Sequence, residues 1–484
     1  MSNSQKLSAM DRISSLLDPN SFVEIGALVS KRSTDFNLQQ KEAASDGVIT
    51  GYGVIDNKPV YVYSQDISAL NGTLGEMHAK KITNLYNLAL KTGAPIIAIL
   101  DSKGLRLQEA CDALNGVGEI FTSQVMASGV IPQISIVAGT CAGHSAISNA
   151  LADFTFATKK VSKLFVNSPD AIEGNNISKC DTSDSENTKL TANVDIVSET
   201  EEETFAKVRQ LVNLLPLNNA DDDVYGDCTD SLNRLVNELS SDIKDSSIIL
   251  SSISDNNMFY EIKKDFAREM VTGFIKLNGL TVGCIANRSE VLDAEGKVTE
   301  KLDSVLTTKG CNKATEFINL CDAFNIPILS LTATTGYAAT MCQEKTIAKA
   351  VAKMVYAFAN STVPKVNLLT TQAYSSAYVA MNSKHIGADM VFAWPEAKIS
   401  PMESTNAVKI IYADEIASSK QPQAIIDEKA ALYEELMGSS LSAARRGYVD
   451  SIIEPAQTRK NLIYAFEMLY TKIDCRPDKK HGTV

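Results

Sequence analysis

The sequence predicts an α/β protein made of two copies of one unit. Three observations carry the prediction: a repeat at constant offset, short apolar runs alternating with helical segments, and small-residue turns where the two meet. At 484 residues the chain exceeds one ordinary core, and such a length calls for two or three domains. Hydrophobic residues make up 44% and charged residues 21%, the balance of globular rather than disordered or fibrous chains.

The repeat is read directly. PIIAILDSKGL from Pro95 and PILSLTATTGY from Pro327 begin alike and set Gly336 over Gly104, an offset of 232. PQISIVAGTCAGHSA from Pro132 and PKVNLLTTQAYSSA from Pro364 keep that offset of 232. One register held over roughly fifty residues marks a duplication. Upstream, DGVITGYGVIDNKPVYVYSQD from Asp46 parallels EMVTGFIKLNGLTVGCIANR from Glu269, with Gly51 over Gly273. Downstream, ADFTFAT from Ala152 parallels ADMVFAW from Ala388.

The runs PIIAIL, ISIVAG, ILSLTA and VNLLTT are short and carry apolar residues on both faces, so they read as buried strands of a parallel sheet. HAKKITNLYNLALKTG and CNKATEFINLCDAF space their apolar residues helically and end near Gly93 and Asn325. Each half is therefore a set of βα units. The stretch PLNNADDDVYGDCTD from Pro216, acidic and turn-rich, follows the amphipathic helix EEETFAKVRQLVNLL and reads as a solvated connection. The boundary is placed near residue 245, giving domains 1–245 and 246–484.

A formal charge of −12 argues against a nucleic-acid partner, because phosphate binding rests on clustered Lys and Arg. The segment MSNSQKLSAMDRISSLLDPNSF lacks the apolar core of a signal peptide, and no run of eighteen apolar residues occurs; the expectation is a cytoplasmic protein. The nine cysteines contain no C-x-x-C pair, so reduced thiols and no metal site are expected.

Chemistry is expected at the turns where strands run into helices. In the first half these are Asp101-Ser102-Lys103-Gly104-Leu105 and Gly139-Thr140-Cys141-Ala142-Gly143-His144; in the second they are Thr334-Thr335-Gly336-Tyr337 and Ala373-Tyr374-Ser375-Ser376. Backbone N–H groups at such turns lack partners, and two converging on one point form an oxyanion hole. One such donor changes a rate by about a hundredfold or more. A different chemistry is suggested by Gly143-His144-Ser145, a partial nucleophile elbow in which Ile147 replaces the closing glycine. A hydrolase would need His78 or His385 as its base, while His481 in the tail reads as exposed or at an oligomer contact.

The strings SDGVITGYGVIDNKPVYVYSQD, TLGEMHAKKI, ALKTGAPIIAILDS, AYVAMNSKHIGADMVFAWP and RRGYVDSIIEPAQTRKNLIYAFEML, spread along nearly the whole chain, resemble the acyl-CoA carboxyltransferase family. That family comprises carboxyltransferase subunits of propionyl- and acetyl-CoA carboxylases and of methylmalonyl-CoA or glutaconyl-CoA decarboxylases. The resemblance implies a duplicated crotonase-like ββα superhelix. It also implies carboxyl transfer between biotin, carried on a partner protein, and the α-carbon of a short-chain acyl-CoA through a thioester enolate, with decarboxylases running the chemistry backwards.

The implied partners are a biotin carboxyl carrier protein, a biotin carboxylase or membrane decarboxylase subunit, and further copies of the chain in a dimer or hexamer. By the same resemblance, residues 1–245 take the acyl-CoA and residues 246–484 the biotin. The acyl hole would use amides at Leu105 and at Gly143 or His144; the biotin hole would use Gly336, Tyr337 and Ser375 or Ser376. Val379 would face the acyl chain, and Gly72, Gly75, Lys80 and Lys81 would lie on the CoA side. The chain departs from the family at the turns themselves, with His144 and the Ser375-Ser376 pair where glycines are usual, and Lys103 and Leu105 in the first turn. An altered subunit serving as a scaffold is the alternative those departures raise.

Overall fold

Each repeat folds into the same strand order. The computed structural model describes residues 7–32, 36, 45–221, 226–293 and 295–484, in two units, residues 1–223 and 224–484. The strands of the first unit are β1 (Val23–Ile25), β2 (Val48–Ile55), β3 (Lys58–Gln65), β4 (Ile96–Ser102), β5 (Gln133–Ala142), β6 (Phe154–Thr158), β7 (Lys163–Phe165) and β8 (Ile196–Ser198). Its helices are α1 (Ala9–Leu16), α2 (Glu76–Thr92), α3 (Ala110–Ala127), α4 (His144–Ala150), α5 (Glu173–Ser178), α6 (Ser185–Thr188) and α7 (Glu201–Leu214).

The second unit has β9 (Phe259–Ile262), β10 (Met270–Leu277), β11 (Leu280–Asn287), β12 (Glu290–Leu292), β13 (Val298–Lys301), β14 (Val305–Leu306), β15 (Ile328–Thr334), β16 (Gly336–Tyr337), β17 (Lys365–Tyr374), β18 (Met390–Ala393), β19 (Lys398–Ser400) and β20 (Ser451–Ile452). Its helices are α8 (Ser246–Ile253), α9 (Thr308–Ala323), α10 (Met341–Glu344), α11 (Ile347–Asn360), α12 (Ser375–Ala380), α13 (Ser404–Ile411), α14 (Ala413–Ser418), α15 (Pro422–Tyr433), α16 (Ser440–Arg445) and α17 (Thr458–Leu469).

The first sheet runs β1-β2-β3-β4-β5-β6-β8 with β7 beside the end of β5; the second runs β9-β10-β11-β15-β17-β18-β20 with β19 beside β17. In both, a hairpin opens the sheet antiparallel and all later pairings are parallel. The hairpins close on Asp56-Asn57 and Asn278-Gly279, all at positive φ, as two-residue turns matched to sheet twist require. Gly51 and Gly273 are matched because the neighbouring strand crosses there: a Cβ would lie 2.3 Å from the Val23 carbonyl in one unit and 2.3 Å from that of Tyr260 in the other.

Burial explains the two-sided apolar runs. All seven residues of β4 are buried, packed against α2 and α3 through Ile82, Leu85 and Ile120. In the second unit Val271, Leu329, Leu368 and Phe392 join Ile249, Leu462 and Phe466 in the core. Val236 and Leu239 belong to that core as well, and the Val236 amide donates to the Ala456 carbonyl at 2.9 Å. The predicted helices end as their sequences indicate, with Gly93 and Asn325 left-handed at φ 65 and 55. Among the described residues no helix is long and apolar enough to cross a membrane.

One irregularity is repeated and places the turns. The β4–β5 pairing shifts register between Leu100 and Ser102, and the β15–β17 pairing between Thr332 and Thr334. Beyond these shifts both strand pairs open into the turns singled out from sequence.

Candidate active site

In the first unit β4 and β5 end side by side, with Ser102 opposite Cys141. Leu105 then lies opposite Leu74 in a short parallel bridge. The Leu74 amide donates to the Gly104 carbonyl at 2.9 Å, and the Arg106 amide donates to the Leu74 carbonyl at 2.9 Å. Successive residues of an extended segment point their N–H groups to opposite sides, so the Leu105 amide faces away from Leu74. On the adjacent strand Gly143, at φ 60, turns the chain into α4. Its amide donates to the Phe165 carbonyl at 2.9 Å, which removes Gly143 from the donors and leaves the His144 amide, in the unsatisfied first turn of the helix.

The His144 imidazole is partly buried, with Nε2 3.3 Å from Ser145 Oγ. Burial pushes its pKa down to about 4, so the ring is neutral at physiological pH. His144 and Ser145 border a cavity of about 10 Å³ with Gln65 and Leu74, room for about one water.

The second unit repeats this geometry. Leu306 lies opposite Tyr337, and the Ala338 amide donates to the Leu306 carbonyl at 2.9 Å, as Arg106 does to Leu74. By the same alternation the Tyr337 amide faces away from Leu306. Gly336, at φ 151, stands where Gly104 has φ 109. Ser375 occupies the place of Gly143 and keeps its backbone, at φ 59; its Oγ accepts the Ala377 amide at 3.1 Å. A left-handed serine costs on the order of 1–2 kcal/mol. Ser376 occupies the place of His144, and its Oγ lies 2.9 Å from the Tyr337 phenol oxygen. Burial raises the Tyr337 pKa.

Beside the second turn is a cavity of about 670 Å³, bordered by Ser375, Ser376, Tyr378, Val379, Tyr433 and Tyr448. Its walls are largely aromatic and aliphatic; Tyr378 and Ser400 line it, while their hydroxyl oxygens are buried away from solvent without a hydrogen-bond partner. Burial pushes the Tyr378 phenol up to about 12. The His385 ring sits between Tyr378 and Tyr448, at centroid distances of 6.0 and 5.0 Å.

The residues expected on the CoA side divide. Lys80 is exposed at the start of α2 and pairs with Glu76 at 2.6 Å. Lys81 is buried, and its Nζ donates to the Val48 carbonyl at 2.7 Å, so its ammonium serves the fold rather than a ligand. Gly72 and Gly75 are required by packing: a Cβ on Gly72 would lie 2.4 Å from the Asp101 carbonyl, and one on Gly75 would lie 2.4 Å from Arg106 Nη1.

The hydrolase elements do not assemble. Ser145 is buried, and among the described residues no carboxylate is bonded to the His144 ring. His78 is fully buried with Nδ1 2.9 Å from the Asp46 carbonyl oxygen, His385 is in the other unit, and His481 is exposed. Sequence reasoning missed the ion cluster around Arg106, the Tyr337–Ser376 hydroxyl contact and the cavity wall from Ile399 to Tyr448. Arg106 and Glu109, three residues apart just after a turn, were the available signal for the first.

The carboxyl transferase domain pattern matches residues 2–484. The chain is 38% identical over 491 residues to the propionyl-CoA carboxylase beta chain of Roseobacter denitrificans, covering 99% of this chain and 94% of that one. It is 37% identical over 497 residues to the methylmalonyl-CoA decarboxylase subunit alpha of Propionigenium modestum, covering 99% and 93%. The crystal structure of transcarboxylase 12S, described as a hexamer assembly with hydrolyzed methylmalonyl-coenzyme A bound, superposes with a TM-score of 0.91 at 35% identity, covering 99% of this chain and 92% of that one. Two copies of a crotonase-like unit with matched amide-bearing turns, and a family pattern spanning almost every residue, make this chain an enzyme of the carboxyltransferase family.

Proposed function

We propose that the chain is the carboxyltransferase subunit of a biotin-dependent system, moving a carboxyl group between carrier-borne biotin and the α-carbon of a short-chain acyl-CoA. Residues 1–245 take the acyl-CoA and residues 246–484 the biotin. The carrying observation is the matched pair of turns, with the Leu105 and Tyr337 amides facing away from equivalent parallel bridges. Enolate chemistry places negative charge on the thioester oxygen, and preorganised amides there stabilise it without a titrating side chain. Leu105 and His144 serve that oxygen; Tyr337 and Ser376 serve the urea oxygen.

The second-unit cavity suits biotin: about 670 Å³ of mostly apolar wall beside the Ser375-Ser376 turn, fit for a mostly apolar ring system with one polar edge. Biotin bound there supplies the carboxyl group to be exchanged. Lys80 is the exposed cation for CoA phosphates, and Val379 limits the acyl chain. The chain acts in a homo-oligomer, a dimer or hexamer, in which the first unit of one copy meets the second unit of another. It works with a carrier protein and with either a biotin carboxylase or a membrane decarboxylase subunit, in the cytoplasm.

The test is mass-spectrometric assay of acetyl-, propionyl-, methylmalonyl- and glutaconyl-CoA with biotin. CoA-ester-dependent exchange that avidin abolishes is expected, and the ester consumed sets the direction. A second reading, a scaffold with weakened chemistry, draws on His144 and Ser375-Ser376 in place of glycine. It predicts no exchange but retention of a biotinylated carrier protein.

A further inference from the structure

The turn bearing Leu105 is tied down by buried charge. The Arg106 side chain is 1% exposed, and its Nη1 meets Asp46 and, at 2.8 Å, Glu109; both carboxylates are fully buried. Nη2 donates to the Thr73 carbonyl at 2.7 Å, while the Arg106 backbone amide donates to the next carbonyl, Leu74, at 2.9 Å. Both ends of one residue thus grip consecutive carbonyls of the segment facing Leu105.

The carboxylates extend the grip into α2. Glu109 accepts the Glu76 amide at 2.6 Å and so caps a helix whose N-cap, Gly75, has no side chain to do it. Asp46 accepts the His78 amide at 2.7 Å. Three segments, at 46, 73–78 and 104–109, therefore meet on one guanidinium. In the second unit Ala338 and Met341 stand at the places of Arg106 and Glu109, and the corresponding turn is held by β14 and by the Tyr337–Ser376 contact.

A buried ion cluster of this kind contributes little net stability, because desolvation offsets much of the attraction, but it specifies one geometry. We propose that Arg106, clamped by Asp46 and Glu109, is a positioning residue that fixes the direction of the Leu105 amide in the acyl half of the site. This rests on the functional reading above, in which that amide serves the thioester oxygen.

The experiment compares full-length Arg106→Lys with Arg459→Lys, a control whose guanidinium is as buried against Asp255 in the second unit. Each is measured for Tm, for kcat and KM with whichever acyl-CoA the exchange assay shows to be consumed, and for deuterium exchange over residues 103–109. Arg106→Lys is expected to lower kcat about tenfold or more, with KM within about threefold, and to speed exchange over 103–109 about tenfold. Arg459→Lys is expected to lower Tm while leaving kcat and that exchange unchanged. Glu109→Gln, which keeps shape and removes one charge, replaces Arg106→Lys if the latter does not fold, with the same pattern expected. Unchanged kcat and exchange in the Arg106 or Glu109 variant, or kcat falling in step with Tm in both proteins, overturns the proposal. A parent protein without transfer activity overturns the functional reading instead, and the exchange comparison then decides the positioning role alone.

Discussion

The phenol of Tyr337 and the hydroxyl of Ser376 lie 2.9 Å apart, joining the two turns of the second unit by side chains whose backbone amides are the proposed donors. Tyr337→Phe removes the contact and keeps both amides. Carboxyl transfer in that variant is expected to stay within about threefold of the parent, because the donors are main-chain groups. A loss above about a hundredfold would show the phenol itself in the chemistry; steady-state assay with biotin distinguishes the two.

Ser375→Gly tests the strained serine. Relief of a left-handed non-glycine backbone contributes on the order of 1–2 kcal/mol, and replacing the Ser375 cap on Ala377 by glycine costs a few tenths. A net gain of roughly 1 kcal/mol in chemical denaturation is expected, with transfer activity retained.

Gly72→Ala puts a methyl 2.4 Å from the Asp101 carbonyl oxygen and forces a left-handed alanine, since φ is 62. Destabilisation of roughly 2 kcal/mol or more is expected without any ligand present. A variant as stable as the parent but deficient in acyl-CoA affinity would place Gly72 at the ligand instead; thermal melts and acyl-CoA titration decide.

The buried Tyr378 hydroxyl without a partner makes Tyr378→Phe informative. The empty protein should gain up to about 1–3 kcal/mol, the cost of an unsatisfied buried group. The KM for biotin should stay within about threefold of the parent at the same time, because the phenol oxygen is closed off from the cavity that Tyr378 lines. A KM raised about tenfold or more would show that the hydroxyl turns to the ligand.

Two histidines set a pH dependence. Burial, reinforced by the nearby Arg106 charge, holds His78 down to about 3, and burial holds His144 down to about 4. Unfolded, both take up protons near pH 6.5, so the unfolded chain binds more protons below that value. Their contribution to stability is complete above about pH 6.5 and is lost as pH falls toward 4 and 3, at up to about 1.4 kcal/mol per pH unit for each ring. Denaturation curves between pH 7.5 and 5 should show a smaller fall for His78→Gln than for the parent. An identical fall would place the acid sensitivity elsewhere.

Strand and helix placement was legible because it rests on local pattern. The two-sided runs at Ile96 and Ile328, the helix stops at Gly93 and Asn325, and the 232-residue offset all follow from residue spacing and backbone preference. The turns were legible as places but not as donor sets. Gly143 and His144 look equivalent as letters; the Phe165 carbonyl, brought alongside by β7, takes one amide and leaves the other. Lys81 looks like its neighbour Lys80, yet helical rotation turns one inward to the Val48 carbonyl and the other outward to Glu76.

By itself the sequence determined an α/β chain of two related halves, its family resemblance, and which four turns carry small residues. Those properties depend on order along the chain, where duplication and hydrophobic period are written. Tertiary structure alone decided which amides stay unbonded, that Asp46, Arg106 and Glu109 share one buried site, and that Tyr378 opens onto the same cavity as Tyr433 and Tyr448. Hydrogen-bond satisfaction and desolvation depend on neighbours distant in sequence, so no local pattern encodes them.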